Sequence, residues 1–144
     1  MKTMKKLRLI ALSTVLLFAF SFTSCKYEEG PTISLRPKNE RIANTWVIDK
    51  AYHNGEEVTD EYDQYELYLT TDNKASLTVV YSGGTFTFEY NTSGVWAFAN
   101  SKEELVLDFE DDEADRTYEI LRLAEKELWL KEKGGDTELQ LQPK

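Results

Sequence analysis

The sequence predicts an all-β domain, an antiparallel up-and-down barrel of eight to nine short strands. Three observations carry that expectation. Apolar and polar residues alternate with a period of two in segment after segment from Trp46 to Leu141. Turn dipeptides and glycine pairs interrupt those segments at roughly the 8–12-residue spacing of a sandwich or barrel. No stretch after residue 40 sustains the 3.6-residue period of an amphipathic helix. The 144 residues also divide unevenly by charge. Residues 1–24 hold Lys2, Lys5, Lys6 and Arg8 and no acid, which leaves residues 25–144 with a net charge of −13. That length makes one domain.

The N-terminal segment has its own anatomy. Four cations precede an apolar run from Leu9 to Phe20, and small residues follow. This is the layout of a secretory signal, and twelve residues are too few to cross about 30 Å of hydrocarbon as a helix. Apolar side chains surround the run on every side, so it has no polar face to show water as a soluble helix. Phe22-Thr23-Ser24-Cys25 resembles a bacterial lipobox, with Phe22 where many have Leu. The resemblance implies cleavage before Cys25 and attachment of diacylglycerol and a palmitate-type acyl chain to it. Lipidation also accounts for an unpaired cysteine in an exported chain. Lys26-Tyr27-Glu28-Glu29 resembles the tag that sends Bacteroidota-type lipoproteins to the cell surface. Residues 25–40, with Gly30, Pro31 and Pro37, read as the lipidated cysteine and its tether. Such a stretch can reach about 50 Å. The expected organisation is therefore a signal over 1–24, a tether over 25–40 and a barrel over 41–144.

The strands follow in order. Trp46 to His53 runs into Asn54-Gly55, a pair that tolerates positive φ in a hairpin turn. Residues 59–64 have room for a single helical turn. Tyr65, Leu67 and Leu69 share a face up to Asp72-Asn73; Ala75, Leu77, Val79 and Tyr81 share one up to Ser82-Gly83-Gly84. Phe86, Phe88 and Tyr90 alternate with Thr85, Thr87 and Glu89. Asn91 to Ser93 is then expected to turn the chain into a separate strand, Gly94 to Phe98, with Trp96 and Phe98 on one face. Leu105, Leu107 and Phe109 form the next inward row, and Asp111 to Ala114 the next turn. Tyr118 to Leu123 suits a pleated surface; Ala124 to Lys126 turns into Leu128-Trp129-Leu130. Gly134-Gly135 leads to a last strand with Leu139 and Leu141 inward. These are nine segments joined by tight turns. Such a meander removes its edges most simply by closing; an open Greek-key sandwich would need longer connections.

Asn44-Thr45-Trp46 at the first strand stands where lipocalins carry Gly-x-Trp. Gly94-Val95-Trp96 follows mid-chain, and Tyr118 to Leu123 runs through a short turn into Glu127-Leu128-Trp129-Leu130. Behind a lipobox, this order resembles the small lipocalin-like domain of Bacteroidota-type lipoproteins. The resemblance implies a calycin-type barrel closed at one end by Trp46. Asn44 replaces the usual Gly, and the long C-terminal helix of full-size lipocalins is missing.

The chemistry is sparse. A surface this acidic disfavours nucleic acid, whose phosphates attract Lys and Arg. One cysteine and one histidine leave no thiolate metal site and argue against a Ser/His/Asp triad; His53 reads as a turn residue. Asp108, Glu110, Asp111, Asp112, Glu113 and Asp115 are a solvated hairpin tip before they are a cation site, because they lack the EF-hand order. There is no nucleotide loop, nucleophile elbow or metalloprotease motif, so the expectation is a protein that is not an enzyme and uses no cofactor or metal. The inward aromatics Phe86, Phe88, Tyr90, Trp96, Phe98 and Phe109 either fill the barrel or line a cavity in it. Two functions stay open on these grounds. One is binding of a small hydrophobic ligand against Phe86, Phe88, Trp96 and Phe98, which two successive strands would bring together. The other is a filled barrel that docks to a protein or glycan complex. In both, Cys25 holds the chain to the outer membrane, on its surface or periplasmic side.

Overall fold

The computed structural model describes residues 35–144, so the export signal, Cys25 and most of the tether lie outside the described residues. A short helix, α1 (Lys38–Ile42), precedes nine strands. These are β1 (Thr45–His53), β2 (Glu56–Glu57), β3 (Tyr62–Leu69), β4 (Lys74–Gly83), β5 (Phe86–Ala99), β6 (Glu104–Phe109), β7 (Arg116–Leu123), β8 (Leu128–Glu132) and β9 (Thr137–Pro143). β1 pairs antiparallel with β3, each of β3 to β8 pairs antiparallel with the next, and β9 pairs with β1 from Trp46↔Pro143 to His53↔Thr137. Eight strands thus close into a barrel, and β2 is a two-residue extra strand on the end of β1. Closure gives every one of the eight a partner on both sides.

The count of nine agrees with the sequence, but the nine are different strands. Asn91 to Ser93 does not turn. These residues pair with Thr78, Leu77 and Ser76 inside a continuous fourteen-residue β5. The ladder partners on β4 satisfy this stretch, which outweighs the turn preference of Asn and Ser. Gly94 serves a different purpose: a methyl group there would overlap the carbonyl oxygen of Asp108 and lie 2.6 Å from the Cα of Phe109. It lets β6 press against β5 at a barrel bend. The missing strand is replaced by β2, too short to show a period.

Three register shifts, between Ile48 and Lys50, Tyr62 and Gln64, and Ile120 and Arg122, reverse the alternation within β1, β3 and β7. Thus Trp46 and Ala51, of opposite parity, are both fully buried. Such bulges bend strands and re-aim their side chains.

Strand direction defines two ends of the barrel. At one, β1, β4, β6 and β8 begin and β3, β5, β7 and β9 finish. Here Ile42, Trp46, Leu67, Leu105, Leu128 and Leu141 pack with almost no exposure. Helix α1 seals this end: the indole N–H of Trp46 donates to the carbonyl of Ile42 at 2.8 Å, and Nη1 of Arg41 donates to the carbonyl of Leu123 at 3.0 Å. The expected tether boundary at residue 40 therefore falls inside α1, whose Ile42 belongs to the core. Each of these large side chains contributes about 1.5–3 kcal/mol by burial.

Candidate functional site

At the opposite end the barrel is hollow. β1 and β3 pair only from Thr45 to Val47 and then separate. The gap is spanned by the loop after β2: the N–H of Val58 donates to the Ala51 carbonyl at 2.8 Å, and the Ala51 N–H donates to Oγ1 of Thr59 at 3.0 Å. This splay leaves a cavity of about 290 Å³. Its floor is apolar, with Leu77, Val79, Leu107 and Leu139, and its walls and mouth are aromatic.

Five rings form a continuous wall. Tyr62 meets Tyr65 and Tyr81 edge-on at 6.1 and 4.9 Å between centroids. Tyr81 stacks on Phe88 at 4.8 Å, and Phe88 leans on Tyr90 at 5.4 Å. Phe86 stands at the rim, 75 % exposed. Tyr118 faces the cavity from β7 and is only 7 % exposed. The hydroxyls of Tyr65 and Tyr118 have no hydrogen-bond partner among the described residues, so both are presented to the cavity.

The charges here are few and arranged. Nε of Arg116 lies 3.1 Å from Oε1 of Glu132, and its Nη1 donates to the carbonyls of Glu113 and Asp115 at 2.9 and 2.6 Å. The hydroxyl of Tyr81 donates to Glu61. Burial first, then the neighbouring Tyr81, Glu132 and Glu61, push the Tyr62 hydroxyl up to about 12. Burial likewise raises Tyr65 and Tyr118 well above the usual phenol range. All three stay protonated at neutral pH, each a hydroxyl donor with lone pairs to spare.

The ligand-contact set expected from the sequence is split by this geometry. Phe86 and Phe88 line the mouth. Trp96 and Phe98 do not join them, because the absence of a turn at Asn91 leaves roughly 25 Å of strand between Phe88 and Trp96. Trp96 is buried at the sealed end, where its indole N–H donates to the Thr70 carbonyl at 2.9 Å and its ring meets Phe98 edge-on at 5.2 Å. Trp46 lies buried beneath α1 at that same end. Phe109 is buried in the core, outside the cavity lining.

His53, read as a turn residue, ends β1 exposed and also borders the cavity mouth. The acidic loop after β6 uses its carboxylates on its own backbone: Asp115 accepts from the Phe109 N–H at 2.7 Å and Asp111 from the Glu113 N–H at 3.1 Å. Among the described residues, no three His, Cys, Asp or Glu side chains are grouped to hold a metal ion.

Sequence reasoning missed Tyr62, Tyr118, Arg116 and Glu132 as cavity residues. A signal for the tyrosines does exist. Along β3, β4, β5 and β7 the inward row changes from Leu, Ala or Trp at one strand terminus to Tyr or Phe at the other. Because successive strands run oppositely, all the Tyr and Phe termini meet at one end. Comparison with protein-family models, curated proteins and solved structures gave no match.

Proposed function

We propose that this chain is a lipid-anchored envelope protein whose lipocalin-like barrel binds one small, largely apolar ligand at its open end. The observation that carries the reading is the cavity of about 290 Å³, apolar at its floor, aromatic at its walls and supplied with partnerless hydroxyls. Pockets that enclose small molecules combine these features, area from apolar and aromatic groups and orientation from a few polar ones. Support for the lipocalin-like assignment comes from the meander of eight strands closed by β1–β9 pairing, with the first-strand Trp46 buried at one end. The role is capture rather than catalysis, and it needs no cofactor or metal. The anchor is Cys25, at the outer membrane, and display on the cell surface follows from the resemblance of Lys26-Tyr27-Glu28-Glu29 to an export tag.

Thermal melts with fatty acids, bile acids and small aromatic probes test the ligand. A cavity of this size holds about ten waters' worth of liquid. Small aromatics are therefore expected to fit wholly and raise the melting temperature most, since a ligand of the native state stabilises it by mass action. The tryptophans report little, because Trp46 and Trp96 sit at the other end and Trp129, under Arg122, lies outside the cavity lining. Saturating amounts of all three classes leaving the melt unchanged would return the barrel to the docking-module reading. Cys25→Ala tests the anchor: it should release the protein from the membrane fraction, and protease shaving of whole cells should degrade only an outward-facing domain.

A further inference from the structure

The geometry points to a cationic ligand: the open end takes an organic ammonium group carried on a small aromatic or apolar body. The inference rests on the ligand-binding reading above and adds the charge and chemical class of the ligand. The first observation is the kind of wall. A merely apolar guest would be held by Leu and Val, yet four of the five contiguous rings here are tyrosines. The face of an aromatic ring carries negative charge density and attracts a cation within about 6 Å of its centre. Tyr81 is made still richer in electrons by donating its hydroxyl proton to Glu61.

The second observation is the field at the mouth. The chain from 56 to 63 carries five carboxylates, and the chain from 110 to 115 carries five more, with no Lys or Arg in either. Both connections open onto the cavity end. The connections at the sealed end are mixed, with Lys102 beside Glu103 and Lys126 between Glu125 and Glu127, and α1 adds Lys38 and Arg41. The other two connections at the cavity end, 84–85 and 133–136, carry only Lys133, which pairs with Glu104 at 2.8 Å, and Asp136. The rim is thus strongly acidic, and an acidic cleft concentrates cationic ligands. The one guanidinium in the cavity wall does not reverse this, because Arg116 is tied to Glu132 and to two main-chain carbonyls. An anionic guest would face Glu132 and the acidic rim, with Glu61 behind the Tyr81 hydroxyl and that cation already engaged.

The third observation is the partnerless hydroxyl of Tyr118, more than nine-tenths buried and set in the cavity lining. Its oxygen lone pairs can turn toward a cationic headgroup, with or without an N–H to share. The carboxylates of Glu132 and Glu61, lesser contributors than burial to the raised Tyr62 hydroxyl, favour a cation beside it.

Three phenethyl probes, titrated calorimetrically into the full chain, test the inference: phenethyltrimethylammonium, its uncharged isostere 3,3-dimethylbutylbenzene, and the anion 3-phenylpropanoate. The cation is expected to bind about tenfold or more tighter than the isostere, and the carboxylate weakest. Raising salt should weaken the cation and leave the isostere unaffected. Glu61→Gln, at the rim, and Tyr62→Leu, in the wall, should each lower the cation's affinity about threefold to tenfold more than they lower the isostere's. If the isostere or the carboxylate binds as well as the cation, the charge preference is wrong while the ligand-binding reading stands. An unchanged cation affinity in both variants, with melts like the wild type, also overturns it. If none of the three binds, the cationic inference is overturned, and the melts with fatty acids, bile acids and small aromatics decide the ligand-binding reading.

Discussion

The two ends of this barrel are built from the same strands and do opposite things. At the sealed end, Leu67, Leu105, Leu128 and Leu141 interdigitate around Trp46 and Trp96, and Ile42 of α1 covers them. Both indole N–H groups are satisfied by main-chain carbonyls, Trp46 by Ile42 and Trp96 by Thr70. At the open end the inward side chains are flat rings, the strands β1 and β3 part, and two hydroxyls lack partners among the described residues. Branched aliphatic side chains fill the axis of an eight-stranded barrel at one end, whereas at the other the aromatic rings pack on one another around a cavity of about 290 Å³. Density at one end tolerates the hollow at the other, and stability and binding are separated along one axis.

Substitutions can break that contrast. Trp46→Ala should cost about 3–5 kcal/mol in urea-induced unfolding, because the cavity it leaves is enclosed on all sides. Phe86→Ala, at the rim, should stay within about 0.5 kcal/mol. Comparable losses from the two would mean that the ends do not differ as described. Gly94→Ala interferes with the strand that joins the ends. The added methyl meets β6 main chain, which cannot swing aside as a side chain would, so a loss of about 2–3 kcal/mol is expected in the same assay.

Alkaline pH should act on the open end first. The Tyr62 hydroxyl titrates at about 12 in the folded chain against 10.0 ordinarily. A raised folded pKa leaves stability intact below pH 10 and removes it as pH climbs from about 10 towards 12, because only the unfolded chain then releases the proton. Denaturant midpoints measured across that range should fall, and Tyr62→Phe should flatten the fall in part. The smallest effect belongs to Tyr118→Phe. Its hydroxyl forms no hydrogen bond among the described residues, so unfolding free energy should move by no more than about 0.5 kcal/mol. A large loss would show that the hydroxyl is held by the protein and is not offered to a ligand.

Much of the fold is legible in the residues. The inward rows Leu67–Leu69, Ala75–Val79, Leu105–Phe109 and Leu139–Leu141 follow from alternation, and all are buried. The turns at Asn54-Gly55, Asp72-Asn73 and Gly134-Gly135 follow from residues that accept positive φ, and Asn54, Gly55, Asn73 and Gly134 adopt it. The site was legible only in part. Phe86 and Phe88 stand on a clear period-two face and border the cavity. Trp96 and Phe98 stand on the same face and do not, because strand continuity through Asn91 was hidden behind turn-forming residues.

The sequence by itself determined which side of most strands faces inward and how the chain reverses, since both depend on neighbours within a few residues. Closure through β1 and β9, the three bulges and the parting of β1 from β3 were decided only by the tertiary structure. They depend on contacts between residues as distant as Trp46 and Pro143, and on how eight twisted strands share one circumference. For that reason the existence of the barrel could be read from the chain, whereas its hollow end could not.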